Sequence, residues 1–267
     1  MLERLIEVVR RVGDEVVMPF YLHVARQQKA DGSVLTAADI AAQDALQREL
    51  KAVLDCPLLG EEMSEQEQRG CWEASSDGLW CVDPIDGTSN FVNGLQHFAI
   101  SVALIRKGKP ALGVVYAPAM GEMFYAEAGH GAYLNGTRLP LVAGAKELSK
   151  AIAEVDFKRL PKSVAIELVT NAPFHSQRNF GSSALDWCYL AAGRFDLYLH
   201  GGQYLWDYAA GSLILSEAGG FACTLEGTAL WEGDLWRTSA LAARDAALYA
   251  AWRDWLAACH QPCSMDE

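Results

Sequence analysis

Two aspartates three residues apart, Asp83 and Asp86, carry the most distinctive chemistry of this chain. Between them, Pro84 predicts a turn, and the following Gly87 lets the backbone approach a ligand closely. Two carboxylates on one tight turn repel each other unless a cation lies between them, and Mg²⁺ takes oxygen ligands of this kind. Taken alone, the run is equally typical of an ordinary acidic surface turn, because turns favour Asp and Gly.

Further acidic residues lie at the ends of other predicted elements. Glu61 and Glu62 follow a short apolar run, Asp207 lies near the start of a predicted helix, and Asp39 follows the helix cap Thr36. Each also has a simple structural interpretation. Glu61 and Glu62 could belong to a solvated loop, Asp207 could be a helix N-cap, and Asp39 could be a first-turn acid that complements the helix dipole. Their combination, rather than any single one, favours a site built from several carboxylates.

The elements that must position these acids are predicted from the spacing of apolar residues. Helical spacing predicts a long amphipathic helix over residues 1–27, and a second helix runs from Ala37 to about Leu54. The polar stretch from Glu65 to Asp77 is predicted to be a loop. Strands separated by Gly or Pro are predicted at 79–82, 97–106, 111–116, 122–126 and 132–134, with hairpin turns at 107–110 and 134–137.

From residue 152 onward, predicted strands and helices alternate. The strands are 152–157, 176–180, 195–199, 221–224 and one from 239, and the helices are 161–169, 183–192, 205–218 and one ending near 258. With a boundary in 139–150, this predicts an N-terminal lobe (1–140) carrying most of the acids and a C-terminal α/β lobe (141–267) in one functional unit. The expected fold is α+β, a layered sandwich whose acidic turns face the crevice between lobes.

Composition narrows the classes of function. The 267 residues carry a net charge of −12, which argues against a nucleic-acid partner because phosphate contacts need a basic face. There is no apolar run of membrane-spanning length and no signal-like N-terminus, so neither a membrane partner nor export is expected. The seven cysteines are scattered through apolar contexts, which favours buried thiols in a reducing, cytoplasmic compartment.

The motifs resemble, in order along residues 1–260, those of the Mg²⁺-dependent, inositol-monophosphatase-like phosphatases. The run from Asp83 to Thr88 matches that family's Asp-Pro-Ile-Asp-Gly-Thr signature letter for letter. Glu61 and Glu62 are similar to its upstream acidic motif, and the run 206–220 resembles its second signature. The segments 181–184 and 29–39 fit as well. The sandwich expected above is of this sugar-phosphatase type.

The resemblance implies a phosphomonoesterase that uses a metal-activated water and two or three Mg²⁺ ions. It assigns Glu61, Asp83 and the carbonyl oxygen of Ile85 to one ion and Asp83, Asp86 and Asp207 to a second. It further implies that the family's members are often dimers inhibited by lithium.

The same resemblance implies the catalytic and substrate-binding residues. Thr88 is expected to orient and deprotonate the water, with Asp39 receiving the proton. Phosphate oxygens are expected at the amides of Gly87 and Thr88, beside Asp86, and at the predicted helix start formed by Ser182 and Ser183. Glu62 is expected to support the metal ligands.

The identity of the alcohol is open at this point. Seven positions before Asp207, inositol monophosphatases carry a glutamate that meets substrate hydroxyls, whereas this chain has His200. That histidine either alters polyol recognition or fills a rim position. Basic residues in 156–178 could receive a second phosphate, as in a 3′(2′),5′-bisphosphate nucleotidase, or belong to an ordinary surface. The hypotheses are a phosphatase of inositol or a related sugar or polyol phosphate, such a nucleotidase, and a non-catalytic regulatory relative. A small phosphorylated metabolite is the expected partner.

Overall fold

A computed structural model of the chain describes residues 1–23, 27–28, 34–75 and 77–259. The α-helices in this part of the chain are α1 (Leu2–Arg11), α2 (Ala37–Val53), α3 (Glu65–Glu73), α4 (Thr88–Val92), α5 (Lys162–Thr170), α6 (Ser183–Ala192), α7 (Leu205–Glu217) and α8 (Ala246–Cys259). Two short strands, β1 (Gln27–Gln28) and β2 (Val34–Leu35), form an antiparallel pair. None of the described helices is long and apolar enough to span a membrane.

A seven-stranded sheet is formed by the first half of the chain. Its strands, in spatial order, are β3 (Leu58–Gly60), β4 (Leu79–Asp86), β5 (Ala99–Arg106), β6 (Lys109–Ala117), β7 (Glu122–Glu127), β8 (Ala132–Leu134) and β9 (Thr137–Arg138). Every pairing is antiparallel except β3 with β4, as the predicted hairpins require. At both predicted turns the two central residues have positive φ, for example 47° at Asn135 and 85° at Gly136.

A second, five-stranded sheet is formed by the second half. Its strands are β10 (Ile152–Asp156), β11 (Ser176–Arg178), β12 (Leu197–Tyr204), β13 (Phe221–Cys223) and β14 (Arg237–Ala243), in the spatial order β11-β10-β12-β14-β13. The sheet is mixed, because β10 runs parallel to β11 and β12 whereas β14 runs antiparallel to both of its neighbours.

The helices and sheets stack in five layers, which confirms the predicted α+β sandwich. Residues of α1 and α2 share a buried apolar cluster with one face of the seven-stranded sheet. The other face of that sheet and one face of the five-stranded sheet enclose α6 and α7. The far face of the five-stranded sheet packs against α5 and α8. Both middle helices are therefore buried nearly all round, and this explains their apolar sequences. The lobe boundaries stay a prediction.

Three local predictions were wrong. The N-terminal helix does not run to residue 27: α1 continues as a π-helix (Val12–Val17) and a 3₁₀ turn (Met18–Phe20), and the backbone leaves helical geometry at Tyr21. Of the stretch predicted to be a loop, residues 65–73 are helical instead, since Ser64 and Glu67 form a capping box that starts α3. Finally, Pro84 does not end its strand.

Strand β4 continues through Pro84 to Asp86 with a bulge instead of a turn. Asp83 pairs with Ser101 and Asp86 with Ala99, so the register shifts between them. A bulge accommodates proline because a residue there need not donate a ladder hydrogen bond. The chain turns one residue after the strand, at Gly87, whose φ is 86°.

Candidate active site

The bulge in β4 brings its two aspartates to one side of the strand. Asp83 is 1% exposed and Asp86 is 9% exposed. The amide of Ile85 donates to Oδ1 of Asp83 at 3.0 Å, which fixes that carboxylate within the bulge. Two residues that an ideal strand would place on different pleats are thus held close together.

A third aspartate reaches the same place from α7. Asp207 lies in the first turn of this helix, and its Oδ2 accepts from the amide of Tyr204 at 2.9 Å. One carboxylate oxygen from each of Asp83, Asp86 and Asp207 lies within 4.8 Å of the others. Within the described ranges, no other group of three His, Cys, Asp or Glu residues has this spacing.

Glu61 joins the group from the end of β3. Its amide donates to the carbonyl of Val82 at 3.2 Å, which places its side chain in the cavity beside Asp83. Glu62 does not line that cavity; its amide donates to Oε1 of Gln43 at 3.1 Å. The structure therefore brings together four of the predicted acids, whereas Glu62 lies outside the cavity lining: the four are Glu61, Asp83, Asp86 and Asp207.

The electrostatics of this cluster are unfavourable for free carboxylates. Burial, followed by the charges of Glu61 and Asp86, raises the pKa of Asp83 well above its usual range. Burial and then the charges of Asp86 and Glu61 do the same to the pKa of Asp207. Burial also raises the pKa of Asp86 to about 6, even though hydrogen bonds to its carboxylate act in the opposite direction. A bound cation would reverse all three effects.

The donor set fits a hard divalent cation. It consists of the carboxylates of Glu61, Asp83, Asp86 and Asp207 and the nearby carbonyl of Ile85, all oxygen atoms. Mg²⁺ prefers such oxygen ligands and keeps several waters, so a set of this kind beside a cavity is suitable for it. These residues could hold the ions that the sequence predicted.

Helix α6 supports one of these ligands. The hydroxyl of Ser182 and the amide of Ala184 both donate to Oδ2 of Asp86, at 2.6 and 2.7 Å. Ser182 is 1% exposed, so its hydroxyl is used within the protein. Ser183 is half-buried at the cavity wall. Contact of either serine with a substrate stays a prediction.

Thr88 and Asp39 lie next to the carboxylate cluster. Thr88 begins α4, and its hydroxyl is 3.0 Å from the carbonyl oxygen of Ile85 and 3.5 Å from Oδ1 of Asp39. Asp39 is fully buried, and its Oδ2 accepts from the amide and hydroxyl of Thr36, at 2.8 and 2.6 Å. Asp39 thus completes the capping box of α2 and also faces Thr88 with its other oxygen.

Gly87 allows the chain to turn between Asp86 and Thr88. Its left-handed backbone is one that glycine adopts without strain, and a β-carbon would lie 2.9 Å from the carbonyl oxygen of His97. The amides of Gly87 and Thr88 were predicted to bind phosphate, and both residues line the cavity. Residues 29–33 of the motif before Asp39 lie outside the described residues.

His200 lies on β12 and lines the same cavity, and its side chain is buried, with 2% exposed. Its Nδ1 accepts from the amide of Gly202 at 3.1 Å, which assigns the proton to Nε2, and Nε2 donates to Oδ2 of Asp156 at 3.1 Å. Burial lowers the pKa of His200 in spite of that carboxylate. Both ring nitrogens are therefore used by the protein, and the predicted contact with a substrate stays a prediction.

The cavity has a volume of about 510 Å³. Sequence reasoning missed two of its acidic lining residues, Asp156 and Asp186. Asp186 interrupts the apolar run 184–190, and Glu154 interrupts the apolar strand β10 in the same way. A charged residue inside such a run could have been recognised, because charged residues are rarely fully buried without a purpose.

The comparisons agree with this geometry. A profile of the inositol monophosphatase family matches residues 1–260. An inositol-1-monophosphatase of Mesorhizobium japonicum is 39% identical over 205 residues, covering 74% of this chain and 75% of that protein. The Nus factor SuhB of Pasteurella multocida is 35% identical over 235 residues, covering 85% of this chain and 86% of that protein.

Among solved structures, an IMPase of Thermotoga maritima superimposes with a TM-score of 0.83 at 29% identity, covering 97% of each chain. The resemblance that the motifs indicated therefore extends over sequence and fold together. The chain belongs to the inositol monophosphatase family.

Proposed function

We propose that this protein is a Mg²⁺-dependent phosphomonoesterase that hydrolyses inositol monophosphate or a related sugar or polyol phosphate. One observation carries the proposal: three aspartates, the buried Asp83 and Asp86 and the half-buried Asp207, converge within 4.8 Å beside the Thr88–Asp39 pair. Like charges held this close together are typical of functional sites, and here the three carboxyl groups line a polar cavity. The relatives named inositol-1-monophosphatase support the same activity.

Different residues would bind the metal ions and orient the attacking water. Glu61, Asp83, Asp86 and Asp207, with the carbonyl of Ile85, would hold two or three Mg²⁺ ions, which when bound supply positive charge to the attacking water and to the leaving oxygen. The hydroxyl of Thr88 would orient that water.

The remaining step is the transfer of a proton away from the water. Thr88 can pass a proton only if a carboxylate accepts from it, and Oδ1 of Asp39 is the oxygen in reach. The amides of Gly87 and Thr88 would bind phosphate oxygens, and the remaining cavity would hold the alcohol.

The decisive variant is Asp83→Asn, compared with Asp55→Asn as the matched control, since the side chain of Asp55 is 74% exposed and far from the cavity. We expect Asp83→Asn to lose Mg²⁺-dependent hydrolysis of p-nitrophenyl phosphate and to weaken Mg²⁺ binding in calorimetry. The control should retain both. Undiminished hydrolysis by Asp83→Asn would refute the assignment of the metal site.

A bisphosphate nucleotidase is the second candidate, because the cations Lys158 and Arg159 line the same cavity as the aspartates. Cations there could bind a second phosphate of the substrate. A panel of inositol, sugar, histidinol and nucleotide phosphates, with and without Mg²⁺, separates the candidates. Preferential turnover of adenosine 3′,5′-bisphosphate over inositol 1-phosphate would favour the nucleotidase.

A non-catalytic regulatory role is the third hypothesis, and some relatives carry the name Nus factor SuhB. Retention of every predicted metal ligand, of Thr88 and of Asp39 speaks for catalysis. Absence of Mg²⁺-dependent turnover across the whole panel would favour the regulatory role. We also propose inhibition by millimolar Li⁺, a homodimer and a cytoplasmic location, which inhibition assays, light scattering and fractionation test respectively.

A further inference from the structure

The cavity contains two carboxyl groups that the catalytic scheme does not use, those of Asp156 on β10 and of Asp186 on the first turn of α6. Asp186 is 3% exposed and lines the cavity. Its Oδ1 is buried and has no hydrogen-bond partner within the described part of the chain. A buried carboxyl oxygen without a hydrogen-bond partner lowers the stability of the folded state.

The environment of Asp186 increases that cost. Glu154 on β10 is fully buried, and both of its carboxylate oxygens also lack partners among the described residues. Burial, followed by the charge of Glu154, raises the pKa of Asp186 well above its usual range. No described residue donates a hydrogen bond to Oδ1 of Asp186, so this carboxyl group has the capacity to bind a ligand.

Three other polar side chains of the cavity lining have partners within the protein. Asp156 accepts from His200 at 3.1 Å and from the amide of Lys158 at 2.7 Å, and Ser182 donates to Asp86. His200 uses both ring nitrogens. Asp186, by contrast, has a buried carboxyl oxygen without a partner among the described residues.

A carboxyl group of this kind suits a hydroxyl. It accepts from an O–H when ionised and can both accept and donate when protonated, so the match does not depend on its protonation state. The outer torsion of an aspartate is broad and two-fold, so either oxygen can turn toward the cavity. A phosphate or carboxylate at the same place would be repelled by the surrounding acids.

We infer that Asp186 binds a hydroxyl of the substrate's alcohol and thereby selects polyol phosphates over monoesters that lack hydroxyls. The inference rests on the proposed phosphatase function and adds a residue that determines its specificity. It assigns this role to a residue of α6, the helix whose start also supports the predicted metal ligand Asp86. Loss of the Asp186 side chain should weaken binding of the alcohol but leave the rate of phosphate hydrolysis unchanged for a substrate without hydroxyls.

The test compares two substrates in three variants. Myo-inositol 1-phosphate carries hydroxyls on its alcohol and p-nitrophenyl phosphate carries none. Asp186→Ala should lower the ratio of their kcat/KM values by roughly 10- to 100-fold, mainly through KM for the inositol phosphate. Asp186→Asn, which keeps an acceptor, should lose less. Glu154→Gln is the matched control, since it alters the neighbouring buried carboxyl but does not line the cavity.

Thermal unfolding separates this role from a structural one. Asp186→Ala should leave Tm unchanged or raise it, because it removes an uncompensated buried group. A fall in Tm together with an equal loss for both substrates would overturn the inference and indicate a structural role. An unchanged ratio, or a wild-type enzyme that hydrolyses only p-nitrophenyl phosphate, would also overturn it while leaving the phosphatase proposal intact. Absence of all Mg²⁺-dependent hydrolysis would refute the two together.

Discussion

The hydroxyl of Thr88 lies 3.5 Å from Oδ1 of Asp39 and 3.0 Å from the carbonyl oxygen of Ile85. One hydroxyl proton therefore has two acceptors within reach, a carbonyl that is a predicted metal ligand and a buried carboxylate. A hydrogen bond that can move between the two is what a proton relay at this position would need.

The first prediction concerns that hydroxyl. Thr88→Val keeps the shape of the side chain but removes the O–H, so kcat for p-nitrophenyl phosphate should fall by roughly 10²-fold or more while KM changes little. Thr88→Ser keeps the O–H and should stay within about tenfold of wild type. Equal activity of the valine and serine variants would contradict the relay. Asp39→Asn is the less direct test, because it also disturbs the capping box with Thr36.

The second prediction concerns the support of Asp86 by Ser182. Ser182→Ala removes the 2.6 Å hydrogen bond but leaves the amide of Ala184 as a donor to the same oxygen. Loss of a group that orients a metal ligand typically costs 10- to 100-fold in metal affinity. We expect the Mg²⁺ concentration for half-maximal activity to rise by roughly tenfold, with activity restored at high Mg²⁺.

The exposed Ser216, at the end of α7, provides the control for this measurement. Ser216→Ala should leave the Mg²⁺ dependence unchanged. If excess Mg²⁺ fails to restore Ser182→Ala, the serine contacts the substrate instead of supporting the ligand.

Much of this site was predictable because its parts lie close together in the sequence. The spacing of Asp83 and Asp86 predicted a carboxylate pair, and Thr36 predicted the start of the helix that carries Asp39. The bulge was not predictable from the run itself, since proline favours a turn in isolation. Only the pairing of β4 with β5 on both sides of Pro84 keeps the chain extended there.

Long-range relationships were the part that the sequence could not supply. Asp86 and Ser182 are 96 residues apart, and the pairing of His200 with Asp156 depends on the register of β10 against β12. Helix α3 was missed for another reason: its sequence is polar nearly throughout, so apolar spacing gave no signal although its capping box was visible.

The third prediction concerns pH. The pKa of Asp86 rises from 3.8 to about 6 on folding, and those of Asp83 and Asp207 also rise. A raised pKa in the folded state contributes stability below the unfolded value, and this contribution is lost as pH rises through the folded value. Protein treated with EDTA should therefore lose stability from this cluster as pH increases from about 4 through 6 and beyond.

Added Mg²⁺ should compensate that loss, since it binds the ionised carboxylates. The gain in Tm on adding Mg²⁺ should be small at pH 5 and grow toward pH 8, as measured by thermal unfolding at each pH. In Asp83→Asn the gain should be much smaller at every pH. A gain that is independent of pH would contradict ion binding at these residues.

The fourth prediction concerns His200, which stands where inositol monophosphatases carry a glutamate. His200→Glu would place a buried carboxylate against Asp156 and remove the donor that now lies 3.1 Å from Oδ2. An unpaired buried charge costs roughly 3–5 kcal/mol, and Arg159, whose Nη1 lies 3.4 Å from Nε2 of His200, would offset part of that cost. We expect a clear fall in Tm and no gain in turnover of inositol 1-phosphate. His200→Gln keeps an N–H donor and should be less destabilised.

A double variant isolates the cause of that loss. In His200→Glu/Asp156→Asn the new amide can donate to the new carboxylate, so part of the stability should return. The coupling between the two sites, measured from the four unfolding free energies, should then exceed about 1 kcal/mol, as expected for residues in direct contact. Additive effects would mean that Asp156 does not hold the side chain at position 200 in place. In that case the imidazole would be free to turn, and its predicted contact with substrate would become the better explanation of a histidine at this position.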